Sequence, residues 1–254
     1  MNPKPRFEEL DFRETELGDL ILRRRTLLSL GNEEIYEVIL GDGYLMSSLF
    51  TVVEQELSNL GLAAASESTG AGKLDVVVGG LGLGYTAVEA LKHDSVESLV
   101  VVDFMQPVIE WHEKEMVPLG ASLNADPRCR FVHGDFFRLA LPGEGEPGFD
   151  PEAPGRKFHA VLLDIDHSPA KLLHERHGNF YSAEGLVKMT EQLHPGGVFA
   201  LWSDDPPEES FMTALAEVFD SCESHVVSFF NPLQDRESKS TVYVARLKEL
   251  GRGS

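Results

Sequence analysis

The residues best suited to chemistry fall just beyond short apolar runs. Gly79-Gly80-Leu81-Gly82-Leu83-Gly84 follows Leu74–Val78 and precedes a helical pattern that opens at Tyr85. Glycines without a Cβ let the backbone approach a ligand closely, and the free N–H groups of the new helix face the same point. Gly79, Gly80, Gly82 and Gly84 therefore suit a nucleotide or nucleoside, although such a turn also serves merely to pack a helix on a strand. Asp103 closes the next run, Val100–Val102, where a carboxylate can accept hydrogen bonds from both ribose hydroxyls. Its structural alternative is the N-cap of a helix beginning near Pro107. In His133-Gly134-Asp135-Phe136, Gly134 and Asp135 can hold an adenine amino group while Phe136 or Phe137 covers the ring. The same residues also read as a turn followed by core aromatics.

Asp164-Ile165-Asp166-His167-Ser168-Pro169 follows Ala160–Leu163 and places two carboxylates and an imidazole on one loop. Such a set can orient an amine, deprotonate it or hold positive charge over a site. Asp164 is the expected catalytic group, supported by Asp166 and His167. A side-chain turn ahead of Ser-Pro is the structural reading of the same acids. The acids of Trp202-Ser203-Asp204-Asp205-Pro206-Pro207 equally suit a helix N-terminus. His174 and His177 have a metal-like step but no accompanying ligand cluster, and Cys129 and Cys222 lack metal-type spacing. No metal is expected.

These positions need a parallel sheet to bring them together. The runs Leu74–Val78, Ser98–Val102, Arg130–Val132, His159–Leu163 and Gly197–Leu201 are continuous and apolar, as in strands covered on both faces. Helical patterns lie between them at Thr86–Leu91, Val108–Met116 and Ala183–Leu193. A last helix near Glu208–Phe219 precedes two extended runs, Ser224–Phe230 and Ser240–Arg246, expected to pair antiparallel at the sheet edge. The stretch Leu141–Lys157, rich in Pro, Gly and acid, reads as a mobile surface loop. Upstream, Asp19–Arg23 and Glu34–Leu40 alternate as a small antiparallel β-meander, and an amphipathic helix from Ser48 stops at Gly61, ahead of a linker to Lys73. The division is an N-terminal strand unit over 1–50, a connecting helix and linker over 51–73, and a nucleoside-binding catalytic domain over 74–248.

With 42 acidic and 22 basic residues in 254, the net charge is −20, which repels phosphate backbones and anionic lipid. Nucleic acid and membrane are unlikely partners on this ground. No run reaches the roughly 18 apolar residues of a bilayer span, and two distant cysteines suit a reducing cytoplasm. A soluble cytoplasmic protein acting on a small molecule is expected; a homodimer is compatible with this.

The meander, the connecting helix, the glycine turn, Asp103, Gly134-Asp135, Asp164 and Phe180-Tyr181 together resemble the spermidine synthase (polyamine aminopropyltransferase) superfamily, from about Leu20 to Arg246. The resemblance implies an α/β, Rossmann-like, seven-stranded class I methyltransferase sheet ending in an antiparallel hairpin. It also implies an adenosyl nucleoside bound across Gly80, Gly82, Asp103 and Asp135, and a small-molecule acceptor, with amines among the candidates.

The chain departs from that family at the acceptor residues. The family's glycine turn carries an acid that helps hold the amine of decarboxylated S-adenosylmethionine, where this chain has Leu81 and Gly82. Its Asp-Ser-Ser/Thr-Asp-Pro loop matches at Asp164 alone, its Gln after strand five is Trp202, and its Tyr-His-Glu gate has become Ser48-Leu49-Phe50-Thr51. The missing acid in the turn favours methyl transfer from S-adenosylmethionine. Aminopropyl transfer from the decarboxylated form is the alternative, and a non-catalytic nucleoside-binding module the third reading.

Overall fold

The computed structural model describes residues 6–248; the first five residues of the N-terminal unit lie outside the described residues. The chain begins with four antiparallel strands in sequential order, β1 (Phe7–Thr15), β2 (Gly18–Leu27), β3 (Glu33–Leu40) and β4 (Gly43–Ser47). The expected meander is present, with two further strands. Alternation puts Leu20, Leu22 and Val38 in the core. On the other face Arg23 and Arg25 converge on the fully buried Glu37, with Nε–Oε2 distances of 2.6 and 2.9 Å.

Helix α1 (Val52–Thr69) crosses onto the second sheet and does not stop at Gly61. A Cβ on Gly61 would lie 2.5 Å from Leu162 Cδ2 and 3.2 Å from the Ala200 Cβ. This glycine therefore lets the helix approach the sheet, and the helix ends instead at Gly70, whose φ of 61° is left-handed. The small residues read as a linker form its last turns.

The second sheet has seven strands: β5 (Leu74–Gly79), β6 (Val96–Asp103), β7 (Cys129–His133), β8 (Phe158–Leu163), β9 (Leu193–Ser203), β10 (Ser221–Asn231) and β11 (Arg236–Arg246). Their order is β10-β11-β9-β8-β5-β6-β7, parallel except where β11 pairs antiparallel with β9 and β10. Val76, Val77 and Val78 are fully buried, which is why this central strand reads as an unbroken apolar run. The crossovers include α2 (Tyr85–Leu91), α3 (Gln106–Glu113), α4 (Gly120–Ala125), α5 (Phe136–Ala140), α6 (Ala183–Thr190) and α7 (Glu209–Val218). Pro107 sits in the first turn of α3, where its missing N–H costs nothing. Among the described residues no helix is long and apolar enough to cross a membrane.

The 141–157 loop is anchored at its middle. Phe149 is fully buried, its N–H donates to Gln192 Oε1 at 2.9 Å, and Asp150 pairs with Arg130 and Arg156. A single aromatic residue among acids, prolines and glycines is too weak a pattern to reveal the anchor. The two sheets are also tied together: Trp111 Nε1 on α3 donates to Asp11 Oδ2 on β1 at 2.7 Å.

Candidate active site

The carboxyl ends of β5, β6 and β8 and the N-terminal sheet enclose one cavity, as the crossover topology requires. Gly80, Gly82, Asp103, Asp135, Phe136, Asp164 and His167 all line it. Gly79, Gly84, Gly134 and Asp166 do not. Gly79 makes room for the Phe136 ring, Gly84 for Leu123 and His112, and Gly134 for Leu139, so these three are packing positions. Gly80 has a φ of 94°, and a Cβ there would fall 2.1 Å from the Asp164 carbonyl oxygen. Only glycine lets the turn lie this close to the Asp164 loop.

Asp103 ends β6 with both carboxylate oxygens in use: Oδ2 accepts from Leu81 N–H and Oδ1 from Met105 N–H, each at 2.8 Å. The carboxylate thereby locks the glycine turn to the loop before α3. It does not cap that helix, whose N-cap is Met105. Burial pushes its pKa up, while these backbone donors oppose the rise. The Gly82 N–H is a third backbone donor to it, and the carboxylate still has acceptor capacity for a ligand hydroxyl. Asp135 caps α5, accepting from Phe137 N–H at 3.0 Å and Arg138 N–H at 3.3 Å. Phe136 packs against Phe149 and Phe180 in the core while also contributing to the cavity wall.

Asp164 emerges from β8, and Thr86 Oγ1 on α2 donates to its Oδ2 at 2.8 Å. Glu54 on α1, absent from the sequence-based set, faces the same cavity. Burial and the Asp164 charge push Glu54 up to about 8, and burial raises Asp164 to about 6 against the Thr86 hydrogen bond. The buried Glu54 and the half-buried Asp164, two carboxyls on one cavity, do not both ionise readily, so the free site holds a proton near neutrality. His167 and Trp202 complete this end. Together with Leu45, Met46 and Glu54 they also border a second, more polar cavity reaching Asp204, Arg236 and Lys239.

Asp166 is fully buried and organises its own loop. Its carboxylate accepts from Leu173 N–H at 2.6 Å, Tyr181 Oη at 2.9 Å and His177 Nδ1 at 2.9 Å. His177 itself lines the cavity, a position that an isolated histidine step did not disclose. Among the described residues the one group with metal-like composition, Asp75, His159 and His194, lies at the amino ends of β5, β8 and β9. Its atoms are already engaged, His159 Nδ1 by Asp75 N–H at 3.0 Å and the Asp75 carboxylate by Arg156 at 2.5 Å.

Residues 54–230 match the model of the spermine/spermidine synthase domain. Polyamine aminopropyltransferase 2 of Pseudomonas aeruginosa is 29% identical over 161 residues, covering 59% of this chain and 41% of that protein. Putrescine N-methyltransferase 2 of Nicotiana attenuata is 30% identical over 125 residues, covering 48% and 29%. The chain thus spans less than half the length of these two relatives. The crystal structure of spermidine synthase from Thermotoga maritima superposes with a TM-score of 0.66 at 16% identity, covering 94% of this chain and 72% of that one. A shared domain model over most of the sequence and a shared two-sheet fold lead to one conclusion: the chain belongs to the spermine/spermidine synthase domain family.

Proposed function

We propose that the chain transfers an aminopropyl group from decarboxylated S-adenosylmethionine to an amine acceptor. The observation that carries this reading is the Glu54–Asp164 pair, one buried and one half-buried carboxyl on one cavity beyond the glycine turn. Helix α1 brings to the cavity the carboxyl that the turn lacks at Leu81 and Gly82. The missing acid in the turn, which on the sequence alone favours methyl transfer, is offset by this carboxyl. Leu81 is buried in the core, and an acid at Gly82 would meet Met46 Sδ, 2.6 Å from its Cβ. Similarity to a protein named polyamine aminopropyltransferase points the same way.

The nucleoside lies along Gly80, Gly82, Asp103 and Asp135, which directs its sulfonium toward Asp164. The acceptor nitrogen attacks the methylene carbon beside the sulfonium. The C–N bond forms as the C–S bond breaks, and sulfur leaves as the neutral thioether of 5′-methylthioadenosine. The amine gives its proton to the Asp164 carboxylate, while Glu54 keeps the acceptor oriented. Alignment of nucleophile and carbon supplies most of the advantage, with His167 and Trp202 shaping the acceptor side.

Methyl transfer from S-adenosylmethionine to an amine is the second reading, favoured by the 30% identity to a protein named putrescine N-methyltransferase. Incubation with each donor and a panel of diamines, followed by chromatography with mass detection, separates them. Aminopropylated amine with 5′-methylthioadenosine supports the first reading. Methylated amine with S-adenosylhomocysteine replaces it with the second.

A further inference from the structure

The Asp166–His177 pair takes no part in the proposed transfer, yet it is held by several partners. Asp166 is fully buried and accepts from Leu173 N–H and Tyr181 Oη; a hydrogen on His177 Nδ1, 2.9 Å away, completes that set and leaves Nε2 of the neutral imidazole as an acceptor. The imidazole also stacks on Phe137, with ring centroids 3.8 Å apart and planes 20° apart. Its position and tautomer are thereby fixed by two elements, the loop after β8 and α5. With one face on Phe137 and Nδ1 on a carboxylate outside the cavity, the polar atom left to the cavity is Nε2. It has no hydrogen-bond partner among the described residues. His174 is no co-ligand: its Nδ1 accepts Arg176 N–H at 3.1 Å, and the two imidazole centroids are 6.0 Å apart.

Phe137 fixes which end of the cavity this is, because its own N–H donates to Asp135, the residue at the nucleobase end. An acceptor lone pair held rigidly beside an aromatic ring selects a planar base that offers a donor at its edge. We infer that His177, positioned by Asp166, reads the nucleobase by accepting a hydrogen bond from the exocyclic amine of adenine. This assignment rests on the nucleoside half of the proposed function and adds the residue that distinguishes adenine from a base with a carbonyl in that place.

The test compares 5′-methylthioadenosine with its hypoxanthine counterpart, 5′-methylthioinosine, by titration calorimetry. His177→Phe keeps the ring on Phe137 and removes the nitrogens; His177→Ala repeats the measurement should that variant misfold. Both variants should bind the adenine nucleoside about five- to tenfold more weakly, the scale of one neutral hydrogen bond, and the hypoxanthine nucleoside within twofold of the parent. Equal weakening of both nucleosides makes His177 a packing residue and overturns the inference, as does an unchanged affinity for adenine. A parent that prefers hypoxanthine overturns it too, because Nε2 would then be a donor. If the parent binds neither nucleoside, the nucleoside reading itself falls, a result distinct from failure of the variants alone.

Discussion

Glu54 and Asp164 line one cavity and sense each other's charge from elements that no local pattern connects, a helix of the linker region and the end of β8. Burial of Glu54 beside the Asp164 charge makes the free protein hold a proton that an unfolded chain would release. Glu54 titrates at about 8 when folded against an ordinary 4.5, so the folded chain binds the proton more tightly. Stability is therefore lost as pH rises from about 4.5 through 8. Glu54→Gln removes this loss. Thermal melts should show little difference between variant and parent at pH 5 and a higher Tm for the variant at pH 9. Relief of about 2 kcal/mol corresponds to about 4–8 °C in a chain of this size. A Tm difference independent of pH would mean that Glu54 does not carry this proton.

In the proposed reaction Asp164 serves the reacting end of the site and not the base, so its loss should separate turnover from binding. Asp164→Asn keeps the shape and the Thr86 contact while removing the charge. Turnover should fall by about a hundred- to ten-thousandfold, the range for a positioned proton acceptor. Calorimetry should show affinity for 5′-methylthioadenosine changed only a few-fold. Normal turnover would make the acid structural and pass the role of proton acceptor to Glu54 or His167.

Much of this was written in the sequence where burial is uniform. The valines of β5 and β6 are covered on both faces, and Asp103 and Asp164 stand where their strands end, so runs and termini alone located them. β1 escaped because Phe7–Thr15 carries charge on both sides of its alternation, with Asp11 engaging Trp111 rather than solvent. Glu54 escaped for a different reason: a carboxyl in an amphipathic helix looks solvated until the fold buries it. Asp166 and His177 were separately visible, but their partnership depends on how the loop between them closes, which spacing does not encode.

Asp103 is expected to serve both the loop and the ligand. Asp103→Ala removes the acceptor for Leu81 N–H and Met105 N–H, so Tm should fall. It also removes the carboxylate available to ribose hydroxyls, so affinity for an adenosyl nucleoside should drop tenfold or more on the scale of a charge-assisted pair, about 1.5–3 kcal/mol. The two effects are read independently, by melting and by calorimetry. A folded variant with lowered Tm and intact affinity would confine Asp103 to holding the glycine turn.

Gly61 connects the packing of α1 to the chemistry of Glu54. Alanine at an exposed helix position would stabilise by about 1 kcal/mol relative to glycine. Here its Cβ meets Leu162 Cδ2 at 2.5 Å and the Ala200 Cβ at 3.2 Å. Both neighbours are fully buried, so neither swings into free space. Overpacking of this kind costs about 1–3 kcal/mol, which outweighs the propensity gain, and Gly61→Ala should lower Tm. The helix relieves the contact by moving off the sheet, and it carries Glu54 two turns away in the direction of its N-terminus. Displacing Glu54 from Asp164 should raise KM for the amine more than it changes affinity for the nucleoside. Adding Leu162→Ala clears the nearer clash, so the double variant should recover part of the KM change even though a cavity now lowers its stability. If Gly61→Ala shifts Tm but leaves the amine KM unaltered, the seating of α1 is a matter of stability alone, and Glu54 does not depend on it for its place beside Asp164.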